Sequence, residues 1–205
     1  MARLLGEAEH DVFVSSPYVT KQGADFLVAS ISASVRALGQ LTLLTNLSPS
    51  NVTQGSTDPE ALQTLATTAP RMEIYHLPSL HAKVYVADTR RVIVTSGHLT
   101  FSGLYTNYEY GFCVEHARTV DVVRRDMAEY AKLGARIELG QLATYSGVAE
   151  EVKRDVSRAA ESSGEISAPI FRRGVSNSQR RTHQTAGRRG LLKHYFRKDD
   201  TVLSR

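Results

Sequence analysis

A histidine and a lysine two residues apart, His81-Ala82-Lys83, carry the clearest chemical potential in the chain. On an extended segment alternate side chains share a face, so the imidazole and the ammonium stand side by side. That pairing suits attack on a phosphodiester, with a nitrogen nucleophile beside a fixed positive charge that meets the phosphate oxygens. After four further residues comes Asp88, and after six more comes Thr95-Ser96-Gly97-His98. A second carboxylate, Glu109, lies between Tyr108 and Tyr110.

The elements that must position these residues alternate between strands and helices. Apolar runs predict strands over residues 11–15, 40–47, 71–77, 81–87, 91–96 and 108–114, with a further short one over 137–139. Helical spacing covers 23–38, 59–66 with Pro59 in its first turn, and 119–133; residues 150–162 read as a polar helix and 48–58 as turns. This is an α/β fold, a mixed β-sheet flanked by helices. In the strand over 81–87, His81, Lys83 and Tyr85 share one face, and Ala82, Val84 and Val86 form the apolar face expected to be core. By the same parity three neighbouring strands would turn His81, Lys83, Ser96, His98 and Glu109 into one cleft, at the strand ends where α/β sheets place ligands. Tyr105, Tyr108 and Tyr110 read as packing residues beside a core strand in preference to a base-stacking platform. A metal set drawn from His76, His81, His98, His116 and Glu109 is disfavoured, because Lys83 would oppose a cation and no spacing fits a zinc site.

From His81 to Gly111 the sequence HxK(x4)D(x6)TSGHLTFSGLYTNYEYG resembles the signature of the phospholipase D superfamily, HxK(x4)D(x6)GSxN followed by Leu-Thr, Gly-Leu and Asn-x-Glu. Ser16-Pro17-Tyr18, closing the first strand, resembles the same element of its nuclease-like members. Two positions depart from the pattern: Thr95 stands for Gly and His98 for Asn. The resemblance implies that His81 attacks phosphorus to give a phosphohistidine, while Glu109 accepts a hydrogen bond from the other ring nitrogen. It implies that Lys83 and Ser96 neutralise the phosphate oxygens, that His98, Tyr18 and Thr100 contact substrate, and that Asp88 serves structure. No metal and no cofactor are implied. His98 could also act as an acid in its own right. Relatives with two motif copies use one histidine to attack and another to protonate the leaving oxygen; this chain has one copy, so the resemblance implies a homodimer.

Composition bounds the rest. The 205 residues suit one catalytic domain, residues 1–165, and a basic extension, residues 166–205. Residues 170–205 hold 10 Lys and Arg against 2 Asp and Glu, leaving 15 of the 25 cations and 19 of the 21 acids to residues 1–169. Arginine pairs at 172, 180 and 188 and Arg197-Lys198 recur among Ser, Gly, Gln and Thr, a composition that suits equally a face for nucleic acid and a solvated tail or an arm docking on the acidic body of a partner subunit. One cysteine, Cys113, excludes an internal disulfide. The beginning of the chain has no signal-peptide pattern and no apolar run reaches a membrane span, so a cytoplasmic protein without membrane attachment is expected. The expected activity is metal-independent DNA endonuclease action, within a restriction or phage-defence system and with a helicase or ATPase partner. The alternatives are a nucleic-acid-binding module impaired by His98, and a lipid phosphodiesterase.

Overall fold

The structure, a computed structural model, describes residues 1–162. Strands β1 (Asp11–Ser15), β2 (Gln40–Thr45), β3 (Arg71–His76), β4 (Val84–Ala87), β5 (Arg91–Thr95), β6 (Gly111–Val114) and β7 (Ala135–Arg136) form one mixed sheet, ordered β6-β5-β4-β1-β2-β3-β7. Helices α1 (Ala2–Gly6), α2 (Lys21–Ser30), α3 (Ala33–Leu38), α4 (Pro49–Thr53), α5 (Pro59–Ala66), α6 (Ala117–Leu133) and α7 (Leu142–Ser162) accompany it. The expected mixed sheet with flanking helices is what the chain forms.

Direction along the sheet decides where chemistry can gather. β1, β2 and β3 run parallel, while β4, β5 and β6 pair antiparallel in succession outward from β1. The carboxyl end of β1, the amino end of β4, the carboxyl end of β5 and the amino end of β6 therefore lie along one margin. A crevice at such a margin, where strand direction switches, is a favoured ligand position in open α/β sheets.

Both faces of the sheet are buried. On one, Val12, Val14, Leu41, Leu43, Ile74, Tyr85 and Ile93 pack with Leu5, Leu27, Leu62 and Leu65 from the helices. On the other, Phe13, Leu44, Val84, Val86 and Val92 meet Val120, Met127 and Ala131, one stripe of α6. Truncating a fully buried leucine such as Leu43 to alanine would cost about 2–5 kcal/mol. The parity reading named Ala82, Val84 and Val86 as core; Ala82 is only part-buried, and Tyr85, on the parity of His81 and Lys83, is completely buried.

Local chemistry explains where boundaries moved. The helix expected over 23–38 is two helices, because Ile31 is extended and the Ser32 hydroxyl caps α3 by accepting from Val35 N–H at 3.1 Å. The turn-rich stretch contains α4, started by Pro49, and α5 begins at Pro59 under an Asp58 cap. The last strand lies at 135–136 beside β3, short of the expected 137–139, and α7 starts at Leu142, well ahead of 150. β4 starts at Val84, the ladder partner of Ser15, and ahead of it the Ser15 hydroxyl donates to the Ala82 carbonyl at 3.0 Å. Extension 166–205 lies outside the described residues. Among the described residues no helix is long and apolar enough to cross a membrane.

Candidate active site

His81 and Lys83 sit just before β4 on the shared margin. The Lys83 Nζ lies 3.2 Å from His81 Nε2. An ammonium can only donate, so Nε2 is the acceptor and the neutral ring carries its proton on Nδ1. Its lone pair is thereby aimed where a cation already waits. Lys83 is 7% exposed, and burial lowers its pKa while the negative charge of Glu109 acts in the opposite sense.

The next two strands bring Ser96 and Glu109. Ser96 follows β5 and Glu109 precedes β6, and the serine hydroxyl donates to Glu109 Oε2 at 2.5 Å. Asn107 Nδ2 donates to the other carboxylate oxygen at 3.0 Å. Burial would raise the Glu109 pKa, but these two hydrogen bonds, with the nearby His98 and Lys83, hold it below the ordinary carboxylate value. Asn107 had been given no role; the Asn-x-Glu of the sequence pattern was its only signal. The Ser96 hydroxyl also reaches the Tyr110 carbonyl at 3.3 Å, and its oxygen accepts from Tyr110 N–H at 3.0 Å. Thr95, in place of glycine, closes the turn itself: its hydroxyl accepts from Gly97 N–H at 3.1 Å and donates to the Tyr110 carbonyl at 3.2 Å. The cross-strand partner must then be small. A Cβ on Gly111 would lie 2.7 Å from the Thr95 Cβ.

His98 reaches the site on the loop after β5. Its ring stacks on Tyr18, centroids 4.4 Å apart and planes at 19°, and stands edge-on to His81 at 6.5 Å. Burial, then the positive charge of Lys83, pushes the His98 pKa down to about 4. It is a neutral ring at pH 7, which does not suit the role of a standing acid. Ser16 ties the two loops together: its fully buried hydroxyl donates to the Tyr18 carbonyl at 2.7 Å and accepts from Leu99 N–H at 2.8 Å. Thr100 is turned to its own loop, where its hydroxyl accepts from Gly103 N–H at 3.1 Å. Gly103 has to be glycine, since a Cβ there would run into the His98 backbone.

The remaining candidates lie apart from these groups. Asp88 occupies the β4–β5 turn with a left-handed φ of 51° and accepts the backbone N–H groups of Glu9, His10 and Asp11 at 2.8–2.9 Å. Burial opposes its ionisation, but those donors keep its pKa below the usual value. It fastens the turn to the start of β1, as a structural residue would. His76 accepts from Leu47 N–H and His116 bonds Thr119 at the start of α6. Tyr105, Tyr108 and Tyr110 overturn the packing expectation: they are 61%, 88% and 74% exposed. The segment before β6 leads into the edge strand of the sheet, and of the three only Tyr105 meets other rings among the described residues, those of Phe26 and Phe101.

Solved structures with this architecture exist. Nuc of Salmonella typhimurium, a phospholipase D family member, superposes with a TM-score of 0.50 at 12% identity, over 67% of this chain and 88% of Nuc. NucT from Helicobacter pylori gives a TM-score of 0.48 at 10% identity, over 66% of this chain and 87% of NucT. No curated protein matches the sequence. The family described as "Cardiolipin synthase, PLD-like domain" matches residues 1–131, a span that contains every residue of the site. The chain belongs to the phospholipase D-like superfamily of phosphodiesterases.

Proposed function

We propose that the protein is a metal-independent nuclease, acting on DNA through a covalent phosphohistidine at His81. The observation that carries this reading is the 3.2 Å approach of Lys83 Nζ to His81 Nε2, which sets an unprotonated nitrogen beside a cation at an open sheet margin. When phosphate binds, Lys83 passes its hydrogen bond from Nε2 to a non-bridging oxygen, which frees the Nε2 lone pair to attack phosphorus as the P–O bond to the leaving oxygen breaks. The Ser96–Glu109–Asn107 chain lies beside it as an anchored carboxylate. A second His81, from a partner subunit, enters the reaction as the imidazolium, protonated on both ring nitrogens, and gives one of those protons to the leaving oxygen. That histidine then takes a proton from water, which attacks phosphorus, releases the product and restores Nε2. One motif per chain supports this division between two copies.

The basic residues of 170–205 favour a polyanion over a lipid, because their arginine pairs recur without an apolar face. The test is incubation of the full chain with plasmid, single-stranded DNA, RNA and phospholipid vesicles, all in excess EDTA. Cleavage of nucleic acid is expected. Hydrolysis of lipid alone, or activity lost on chelation, overturns the reading.

A further inference from the structure

Tyr85 stands in β4 two residues after Lys83 and on its parity, paired across the sheet with Val14 and Ile93. Its ring is core, wholly buried among aliphatic side chains. Its hydroxyl is equally enclosed and, among the described residues, has no well-formed hydrogen bond. The same is true of one ring nitrogen of His98, Nδ1, which leaves Nε2 as the nitrogen open to the cleft. Enclosed polar atoms without partners are rare, because each has given up water for nothing. These two flank a single hydrogen bond. The Ser16 hydroxyl lies beside that of Tyr85, and its oxygen accepts at 2.8 Å from the N–H of Leu99, the residue next to His98. Burial holds Tyr85 far above the ordinary phenol pKa, so it is a standing donor.

We propose that Tyr85 is a positioning residue for His98: its hydroxyl donates to Nδ1 and holds the imidazole in the tautomer that carries its proton on Nε2, toward the cleft. The consequence for activity rests on the reading of that cleft as a phosphate site. A neutral imidazole has one donor nitrogen and one acceptor, and its use depends on which is which. With the proton on Nε2, His98 offers a phosphate oxygen an N–H, as the amide of Asn in the resembled signature can. With the proton on Nδ1 it would turn a lone pair toward the anion and bury an unpaired N–H. Donation from Tyr85 to Ser16 would satisfy the phenol and leave Nδ1 without a partner; donation to Nδ1 satisfies both atoms. The bond favours the neutral ring, in the same sense as burial and the charges of Lys83 and His81, while Glu109 acts against them. One competitor is close: Thr20 Oγ1 is also enclosed and unpartnered, and Thr20 N–H donates to the Leu99 carbonyl at 3.1 Å.

The test follows the His98 ring by nitrogen NMR in the labelled full chain, beside kcat/KM on DNA in excess EDTA. In wild type at pH 7 the proton should be on Nε2 and Nδ1 should show the shift of a hydrogen-bonded acceptor. Tyr85→Phe keeps the ring in the core; it should return Nδ1 to the unbonded shift, raise the pH at which His98 protonates, and lower kcat/KM about fivefold. In a His98→Asn background there is no tautomer to hold, and the same change should cost less than about twofold. Equal losses in the two backgrounds would make the hydroxyl a prop for Ser16 and overturn the proposal. So would a wild-type proton on Nδ1, or His98 signals that ignore Tyr85→Phe and respond to Thr20→Val. If the wild type cuts no nucleic acid and the His98 signals still respond to Tyr85→Phe as described, the nuclease reading falls and the tautomer assignment stands.

Discussion

Tyr18 and His98 lie face to face, their ring centroids 4.4 Å apart, although they come from loops 80 residues distant in sequence. The Ser16 hydroxyl holds both loops through Tyr18 and Leu99. The stack fixes a neutral imidazole at the position where the resembled signature has Asn, and so puts one uncharged hydrogen-bonding group in the place of another.

His98→Asn should therefore keep activity within about threefold of wild type, measured as kcat/KM on DNA. A loss of several hundredfold would show that the imidazole does chemistry that an amide cannot. The same variant has a stability signature. With a folded pKa of about 4, below the ordinary histidine value near 6.5, the unfolded chain binds the extra proton first. Wild type should lose stability as pH falls from about 6.5 to 4, and His98→Asn should lose less over that window in chemical denaturation.

Glu109→Gln removes the charge that faces Lys83 and breaks the acceptor role toward Ser96. The expected loss is about 10²-fold in kcat, with DNA binding by the full chain little changed. Asn107→Ala should fall between wild type and that variant, because it frees only one carboxylate oxygen. A Glu109→Gln enzyme of wild-type rate would remove the carboxylate from the site.

Asp88→Asn tests the structural assignment. Asparagine tolerates the left-handed turn, so the change isolates the charge that receives three N–H groups. A loss of about 2 kcal/mol in unfolding free energy at pH 7 is expected, with kcat unaffected under folded conditions. Because the folded pKa is lowered, this contribution is present above the ordinary aspartate value and disappears as pH falls through the folded one. Wild type and Asp88→Asn should converge in stability at low pH.

The division of labour between two His81 copies requires a dimer. Sedimentation of the active protein should give twice the chain mass, and mixing His81→Ala with wild type should lower activity more than dilution does. A monomer of full activity contradicts it.

How much of this was legible in the sequence follows from the physics of each element. The stretch from His81 to Gly111 announced the site because strand periodicity and motif spacing act over a few residues, and the margin where β4, β5 and β6 meet did gather His81, Lys83, Ser96 and Glu109. Glu109 was assigned to the other nitrogen of His81, whereas among the described residues its hydrogen bonds go to Ser96 and Asn107. Ser16 and Asn107 stood in the sequence only as parts of Ser16-Pro17-Tyr18 and Asn-x-Glu; what they do is set by side-chain contacts, for Ser16 with a backbone group 83 residues away, that leave no periodic mark. The tyrosines were misread for a related reason: aromatic residues on a strand pattern imply burial only if something covers the strand, and β6 is an edge.

The central claim is that His81 is the nucleophile of a metal-free reaction. Its most direct test is cleavage of single-stranded DNA in excess EDTA by wild type and by folded His81→Ala. The account predicts cutting by wild type and none above background by the variant; activity that EDTA abolishes, or that survives in His81→Ala, would contradict it.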